Sequence, residues 1–245
     1  MNKLLLPFRI VLVALITVVM ACLGTVFIAI AFNRATALKW AGRMFAHGVL
    51  GVSGVKLVIE DRENIPDQPC IFVCNHESLF DIPAMFLAID RGLFYIAKKE
   101  LARVPFMGWY MWVIGMIFID RSNKEKAQKS LSKAALMIRN GKNVILYPEG
   151  TRTKTGAVGI FKRGPFNLSL ESGVPIIPCG ISGAREVLPS GAWLIRPGVI
   201  KVRIGAPIKP NDFEGKPEEF ANHTRSVVLD LISLSKKASG QNAIT

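Results

Sequence analysis

From Ile10 to Phe32 the chain carries no charged residue, and fourteen of those positions are Leu, Ile, Val or Phe. At about −0.3 to −0.6 kcal/mol each on a membrane-insertion scale, these side chains supply roughly −4 to −8 kcal/mol, enough to outweigh Thr17, Gly24 and Thr25. The segment is therefore expected to enter a bilayer. As a helix it would reach about 34 Å at 1.5 Å per residue, close to the roughly 30 Å hydrocarbon thickness, so its length permits a full span. Lys3 and Arg9 precede the run while Arg34, Lys39 and Arg43 follow it, which leaves little basic asymmetry to orient a span. A re-entrant helical hairpin, bent near Gly24 and returning to the same face, is also compatible. A cleaved leader fits less well. Ala29-Ile30-Ala31 mimics a small-residue cleavage site, but the run exceeds the roughly 7–15 residues of a signal core.

The next stretch, Ala35 to Leu50, mixes Leu38, Trp40, Met44 and Phe45 with Lys39, Arg43 and His47. It reads as an interfacial helix, with an ordinary core-facing helix as the alternative. Beyond Gly54 the texture changes to short β-rich runs separated by helical patterns. Strands are expected at Val55–Glu60, Cys70–Cys74, Leu93–Ala97, Met116–Asp120, Asn143–Leu146, Ile176–Cys179 and Val199–Ile204, and helices at Asp81–Asp90, Lys124–Arg139, Pro165–Ser172 and Glu218–Ser235. Strands alternating with helices predict an α/β fold, a mixed, mostly parallel sheet flanked by helices, behind an N-terminal membrane-anchor helix or helical hairpin. The expected division is an anchor with its interfacial helix over residues 1–53 and a single α/β domain over 54–245. The tail from Lys236 to Thr245 is polar and expected to fray.

The formal charge of +13 predicts attraction to a polyanion, and charge alone does not choose between nucleic acid and an anionic membrane face. Cys22, Cys70, Cys74 and Cys179 lie on apolar stretches with no metal-type spacing, so all four are expected as buried free thiols.

In an α/β sheet, ligands sit at strand ends, so the residues after each strand are the informative ones. After Cys70–Cys74 come Asn75, His76, Glu77, Ser78, Leu79, Phe80 and Asp81. Five positions apart on a regular helix means about 140°, which keeps two side chains apart. A strand-to-helix turn lets His76 and Asp81 meet, with the carboxylate taking one ring nitrogen and the other left free as a base. Phe118-Ile119-Asp120-Arg121 ends a hydrophobic run in an ion pair or an anion ligand. Pro148-Glu149-Gly150-Thr151-Arg152 follows another strand and offers backbone amides, a hydroxyl and a guanidinium, the side chain best shaped to grip phosphate. Val174-Pro175-Ile176-Ile177-Pro178 reads as a buried strand bracketed by prolines.

Taken in this order, the four blocks resemble the motifs of the 1-acylglycerol-3-phosphate acyltransferase family. The His-x4-Asp block matches at Asn75–Asp81, the second at Phe118–Arg121, Pro-Glu-Gly-Thr-Arg at Pro148–Arg152, and Val-Pro-x-x-Pro at Val174–Pro178. Ala97-Lys98-Lys99-Glu100-Leu101 and Phe161-Lys162-Arg163-Gly164 are similar as well. Thr153 stands where Ser is usual, and Pro165 where a small residue is common.

The resemblance implies a glycerolipid acyltransferase-like fold and transfer of a fatty acyl group from acyl-CoA or acyl carrier protein to the free hydroxyl of 1-acylglycerol 3-phosphate. His76, held by Asp81, would be the catalytic base. Arg152 with Gly150 and Thr151 would hold the acceptor phosphate, assisted by Lys98 and Arg121, while Glu149 would orient Arg152 or the glycerol hydroxyls. No cofactor and no metal are implied. The partners become a membrane lipid acceptor, the acyl donor and an anionic membrane surface, not nucleic acid. The resemblance further implies an inner or cytoplasmic membrane location with the catalytic domain on the cytoplasmic face. Another lysolipid or glycerol 3-phosphate stays open as acceptor. A serine hydrolase lacks its Gly-x-Ser-x-Gly, since Gly51-Val52-Ser53-Gly54 misses the last glycine. Gly159 and Gly164 have P-loop spacing, but Pro165 and Phe166 follow where Lys and Ser/Thr are required. A cysteine nucleophile at Cys74 and a non-enzymatic basic membrane binder are the remaining rivals.

Overall fold

The computed structural model describes residues 6–30, 34–120 and 124–237. The apolar run forms one continuous helix, α1 (Leu6–Ile30), and α2 (Arg34–Ser53) packs back along it. A Cβ on Gly48 would come within 3.2 Å of Ile16 Cγ2, so the two helices lie antiparallel at close range. Of the two alternatives, a continuous helix or one bent near Gly24, α1 is the continuous one, and α1 and α2 together form the hairpin. Gly24 makes room for a neighbour, because a Cβ there would stand 2.6 Å from the ring of Tyr110. The span Phe8–Phe27 has a mean hydropathy of 2.8 and is mostly unburied, so it is long and apolar enough to cross a membrane. Cys22 lies on the outward side of this helix and is exposed, unlike Cys70, Cys74 and Cys179; all four are free thiols.

After the hairpin come β1 (Val55–Glu60), β2 (Ile71–Cys74), α3 (Asp81–Ile89), β3 (Leu93–Lys98), α4 (Met107–Val113) and β4 (Ile117–Ile119). The chain continues through α5 (Lys124–Arg139), β5 (Asn143–Leu146), α6 (Gly164–Ser172), β6 (Ile176–Ser182), α7 (Ala184–Val187), β7 (Gly198–Ile204) and α8 (Pro217–Lys237). The short helices α4 and α7 were not expected. Met107–Val113 is apolar at nearly every position, and in a run that short periodicity does not separate helix from strand.

Seven strands pair in the order β1-β7-β6-β2-β5-β3-β4. Every pairing is parallel except β6 with β7. The central strands β2 and β6 are buried at every residue, which is why neither shows the alternation of a half-exposed strand. Among the described helices, α1 to α4 contact one another in one layer, while α5, α6 and α8 form another. Helix α2 buries Leu38, Ala46, Val49 and Leu50 and is pinned to the end of α3, where Asp90 receives Lys39 at 3.3 Å and also Arg43. Gly180 of β6 lets α8 rest directly on the sheet, since a Cβ there would meet Leu231 Cβ at 2.8 Å. Pro165 opens α6, where its missing N–H costs no hydrogen bond.

The parallel pairings place the C-terminal ends of β6, β2, β5, β3 and β4 along one edge of the sheet. The segments Asn75–Asp81, Lys98–Leu101, Asp120, Pro148–Thr153 and Gly183 all leave from that edge.

Candidate active site

Strand β2 stops at Cys74 and helix α3 begins at Asp81, so the six residues between them form the turn the spacing requires. His76 Nδ1 lies 2.7 Å from Asp81 Oδ2. The same oxygen accepts the backbone N–H groups of Glu77 at 2.8 Å and Ser78 at 3.0 Å. The carboxylate therefore reaches back over the helix start, where the backbone dipoles favour an anion. Asp81 is wholly buried, whereas the His76 side chain keeps 16% exposure. With Nδ1 donating to the carboxylate, the neutral ring leaves Nε2 as a free acceptor. The imidazole also stacks on Tyr147, with centroids 4.0 Å apart and planes 15° apart.

The turn is held from three sides. Ser78 Oγ donates to Leu188 O and accepts from Phe80 N–H. Asn75 Nδ2 donates to Ile181 O at 2.9 Å while its Oδ1 accepts Ile181 N–H at 2.8 Å, so one side chain extends the β2–β6 ladder beyond the last paired residues. The loop after β5 supplies the third tether: Thr153 N–H donates to His76 O at 2.8 Å. Gly150 in that loop has φ +78°, a left-handed conformation that glycine alone adopts without strain.

Glu149 is buried, and both its oxygens are engaged by backbone. Oε1 accepts His76 N–H and Oε2 accepts Gly159 N–H, each at 2.7 Å. The carboxylate thus staples the His76 turn to the 154–162 loop, which Arg225 grips further through the carbonyls of Val158 and Gly159. Arg152, half-buried, has no hydrogen-bond or ion-pair partner among the described residues, and Thr151 is exposed. Lys98 ends β3, is largely exposed and reaches Glu100 at 3.7 Å. Lys99, not Lys98, makes the close pair with Asp120, at 2.7 Å. Arg121 lies outside the described residues.

The block Asn75–Asp81 gave Asn75 and Glu77 no role of their own, and Tyr147 was not singled out. Asn75 works through a strand more than a hundred positions away, Tyr147 through ring stacking, and Glu77 through burial. Glu77 sits beside Asp81 and accepts from Asn75 Nδ2 at 3.1 Å. Burial, with Asp81 and Glu186 nearby, pushes its carboxyl up to about 8 from 4.5. Between those two pH values the unfolded chain releases this proton while the folded chain keeps it, so stability falls as pH rises through the window and levels off above it. Thermal unfolding in detergent at pH 5 and pH 8 is expected to show wild type losing more stability than Glu77→Gln, which keeps the bond to Asn75. The reverse ordering would place Glu77 in its ordinary ionised state.

A cysteine nucleophile has no support at this site. Cys74 is fully buried against Met85, and burial, with Cys179 alongside, pushes its thiol well above the ordinary range, so no thiolate is available.

Residues 56–182 match the family model described as Acyltransferase. The chain is 30% identical to the 1-acyl-sn-glycerol-3-phosphate acyltransferase of Haemophilus influenzae, over 76% of its own length and 78% of that protein. It is 29% identical to the chloroplastic 1-acyl-sn-glycerol-3-phosphate acyltransferase BAT2 of Brassica napus, over 73% of its own length. That alignment covers 52% of the plant protein, so the chain spans about half the length of such relatives. The crystal structure of the 1-acyl-sn-glycerophosphate (LPA) acyltransferase PlsC from Thermotoga maritima superposes with a TM-score of 0.82 at 28% identity, covering 96% of both chains. With the ordered motifs at one sheet edge and agreement over nearly the whole fold, the chain belongs to the acyltransferase family, among the 1-acyl-sn-glycerol-3-phosphate acyltransferases.

Proposed function

We propose that this protein transfers a fatty acyl group from an acyl thioester, acyl-CoA or acyl carrier protein, to the free hydroxyl of 1-acylglycerol 3-phosphate, giving phosphatidic acid. The observation that carries the reading is the His76–Asp81 pair, at 2.7 Å, with the second ring nitrogen left open. His76 Nε2 removes the hydroxyl proton as the oxygen attacks the thioester carbonyl. Collapse of the tetrahedral intermediate expels the thiolate, which takes the proton back from the imidazolium. Base catalysis of this kind supplies about 10²–10⁴-fold, roughly 3–5.5 kcal/mol, and positioning and oxyanion stabilisation supply the remainder.

Arg152, with Gly150 and Thr151, is assigned to the acceptor phosphate, and Lys98 and Arg121 to the same anionic region. That Arg152 has no partner among the described residues supports the assignment, because a half-buried guanidinium without a carboxylate is suited to an incoming anion. One charged hydrogen bond contributes about 1.5–3 kcal/mol. Arg152→Ala is therefore expected to raise the KM for lysophosphatidic acid roughly 10–100-fold with a smaller change in kcat, and monoacylglycerol, which lacks the phosphate, is expected to be a poor acceptor for wild type. Equal use of the two acceptors would remove the phosphate site.

Glu149 belongs to this site as a positioning residue. In Glu149→Gln one carboxylate oxygen becomes an amide NH2 facing a backbone N–H, so the His76 turn or the Gly159 loop must shift. A displacement near 1 Å costs about 10²-fold in turnover, with little change in KM. An effect confined to KM would instead make Glu149 a direct ligand of the acceptor.

The α1–α2 hairpin is assigned to the membrane, with the catalytic edge on the cytoplasmic face. The net charge of +13 then acts on anionic lipid, at about 1 kcal/mol per basic residue near the surface, and the acceptor is met by diffusion within the bilayer.

A further inference from the structure

Helix α1 is not the whole of the apolar surface. The connection from β3 to β4 exposes Phe106 at 45%, Trp109 at 62% and Trp112 at 73%. Trp109 and Trp112 are three positions apart on α4, and Phe106 meets Trp109 edge-on at 5.4 Å, so the three rings form one outward face. Exposure here does not come from a slack loop. Gly108 N–H donates to Val104 O at 2.8 Å, and a Cβ on Gly108 would stand 2.5 Å from Ala102 O, so the turn is closed backbone on backbone. Phe106 itself is held at φ +61°, a conformation L-residues rarely adopt. The turn fixes these side chains outward and gives them no interior to enter.

Two observations identify what covers this face. It is continuous with α1: helix α4 packs on α1, and Tyr110 fills the space at Gly24. The outer side of α1 carries Leu15, Val19, Leu23 and Val26 with 41–59% exposure. Its chemistry also matches a lipid interface. Tryptophan is the residue enriched at headgroup depth, and the exposed Lys98 and Arg103 stand just before the rings, where they meet anionic headgroups. We infer that the turn and helix α4 form a second bilayer-docking element, seating Phe106, Trp109 and Trp112 in the interfacial layer of an anionic phospholipid membrane beside α1. Because α4 follows directly from the β3 end that carries Lys98, such seating fixes the catalytic edge close to the lipid surface.

The test uses the full chain with Trp40→Phe and Trp193→Phe, which retains only Trp109 and Trp112 of its four tryptophans. It is reconstituted in phosphatidylcholine–phosphatidylglycerol vesicles with and without dibrominated acyl chains. The expected result is blue-shifted emission, quenched at least about twofold by the brominated lipid and only weakly by aqueous iodide. Strong iodide quenching without bromolipid quenching overturns the inference, and so does shielding from both, which would mean that protein covers the face. A second arm rests on the proposed reaction, whereas the fluorescence arm does not. Trp109→Lys/Trp112→Lys is expected to stay membrane-bound through α1 and to lose activity on long-chain lysophosphatidic acid in vesicles, while keeping it on a short-chain, water-soluble analogue. Equal loss on both acceptors, or no loss on either, counts against docking.

Discussion

His76→Ala is expected to lose about 10²–10⁴-fold in turnover while binding its substrates as wild type does. The ring is the one titratable group at this turn that combines a buried orienting carboxylate with an open second nitrogen: Nδ1 is engaged by Asp81 at 2.7 Å and 16% of the side chain faces solvent. Removing it leaves the backbone of the turn tethered, because Glu149, Thr153 and Asn75 all hold main-chain or neighbouring groups rather than the ring. The loss should therefore fall on kcat with the fold intact. Initial rates in lipid nanodiscs at saturating acceptor and donor measure it, and circular dichroism shows whether the fold survives. A variant folded and fully active would require another base.

Asp81→Asn should cost nearly as much, for a different reason. Asp81 Oδ2 is a three-fold acceptor, taking His76 Nδ1 and the N–H groups of Glu77 and Ser78. An amide oxygen can keep the two backbone donors, but it stabilises an imidazolium far less than a buried carboxylate. If the NH2 group turns toward the ring instead, it forces Nδ1 to accept and places the proton on Nε2, the wrong tautomer for a base. A reduction of about 10²–10⁴-fold in kcat is expected, and the pH–rate profile should lose or shift the limb set by the histidine. A profile unchanged in shape with only a small drop in rate would make Asp81 a purely structural brace for the turn.

The parts of this molecule that were legible in the chain share a physical basis. β1, β5 and α5 run over the same residues that periodicity and turn chemistry predict, because local pattern and tertiary environment agree there. The His76–Asp81 contact was likewise foreseeable, since only a strand-to-helix turn reconciles a five-residue spacing with hydrogen bonding. Elements that were missed depend on partners distant in sequence. Helix α4 rests on one such contact, Tyr110 against Gly24 of α1, and neither residue announces the other. Glu149 was expected to face Arg152 or the substrate, yet its oxygens meet the N–H groups of His76 and Gly159. A carboxylate that braces two loops looks, in sequence, identical to one that meets a ligand. Cys22 was expected inside because thiols usually are, but the outer face of α1 is apolar and exposed, so apolar neighbours did not mean burial.

The most direct test of acyl transfer to a lysophosphatidate hydroxyl is product identification. Wild-type protein in nanodiscs is given lysophosphatidic acid and an isotopically labelled acyl-CoA, and the lipids are resolved by mass spectrometry. The expected product is phosphatidic acid carrying the label on the formerly free hydroxyl, formed in step with release of CoA. Labelled free fatty acid released with the CoA, and no labelled phosphatidic acid, would contradict this transfer.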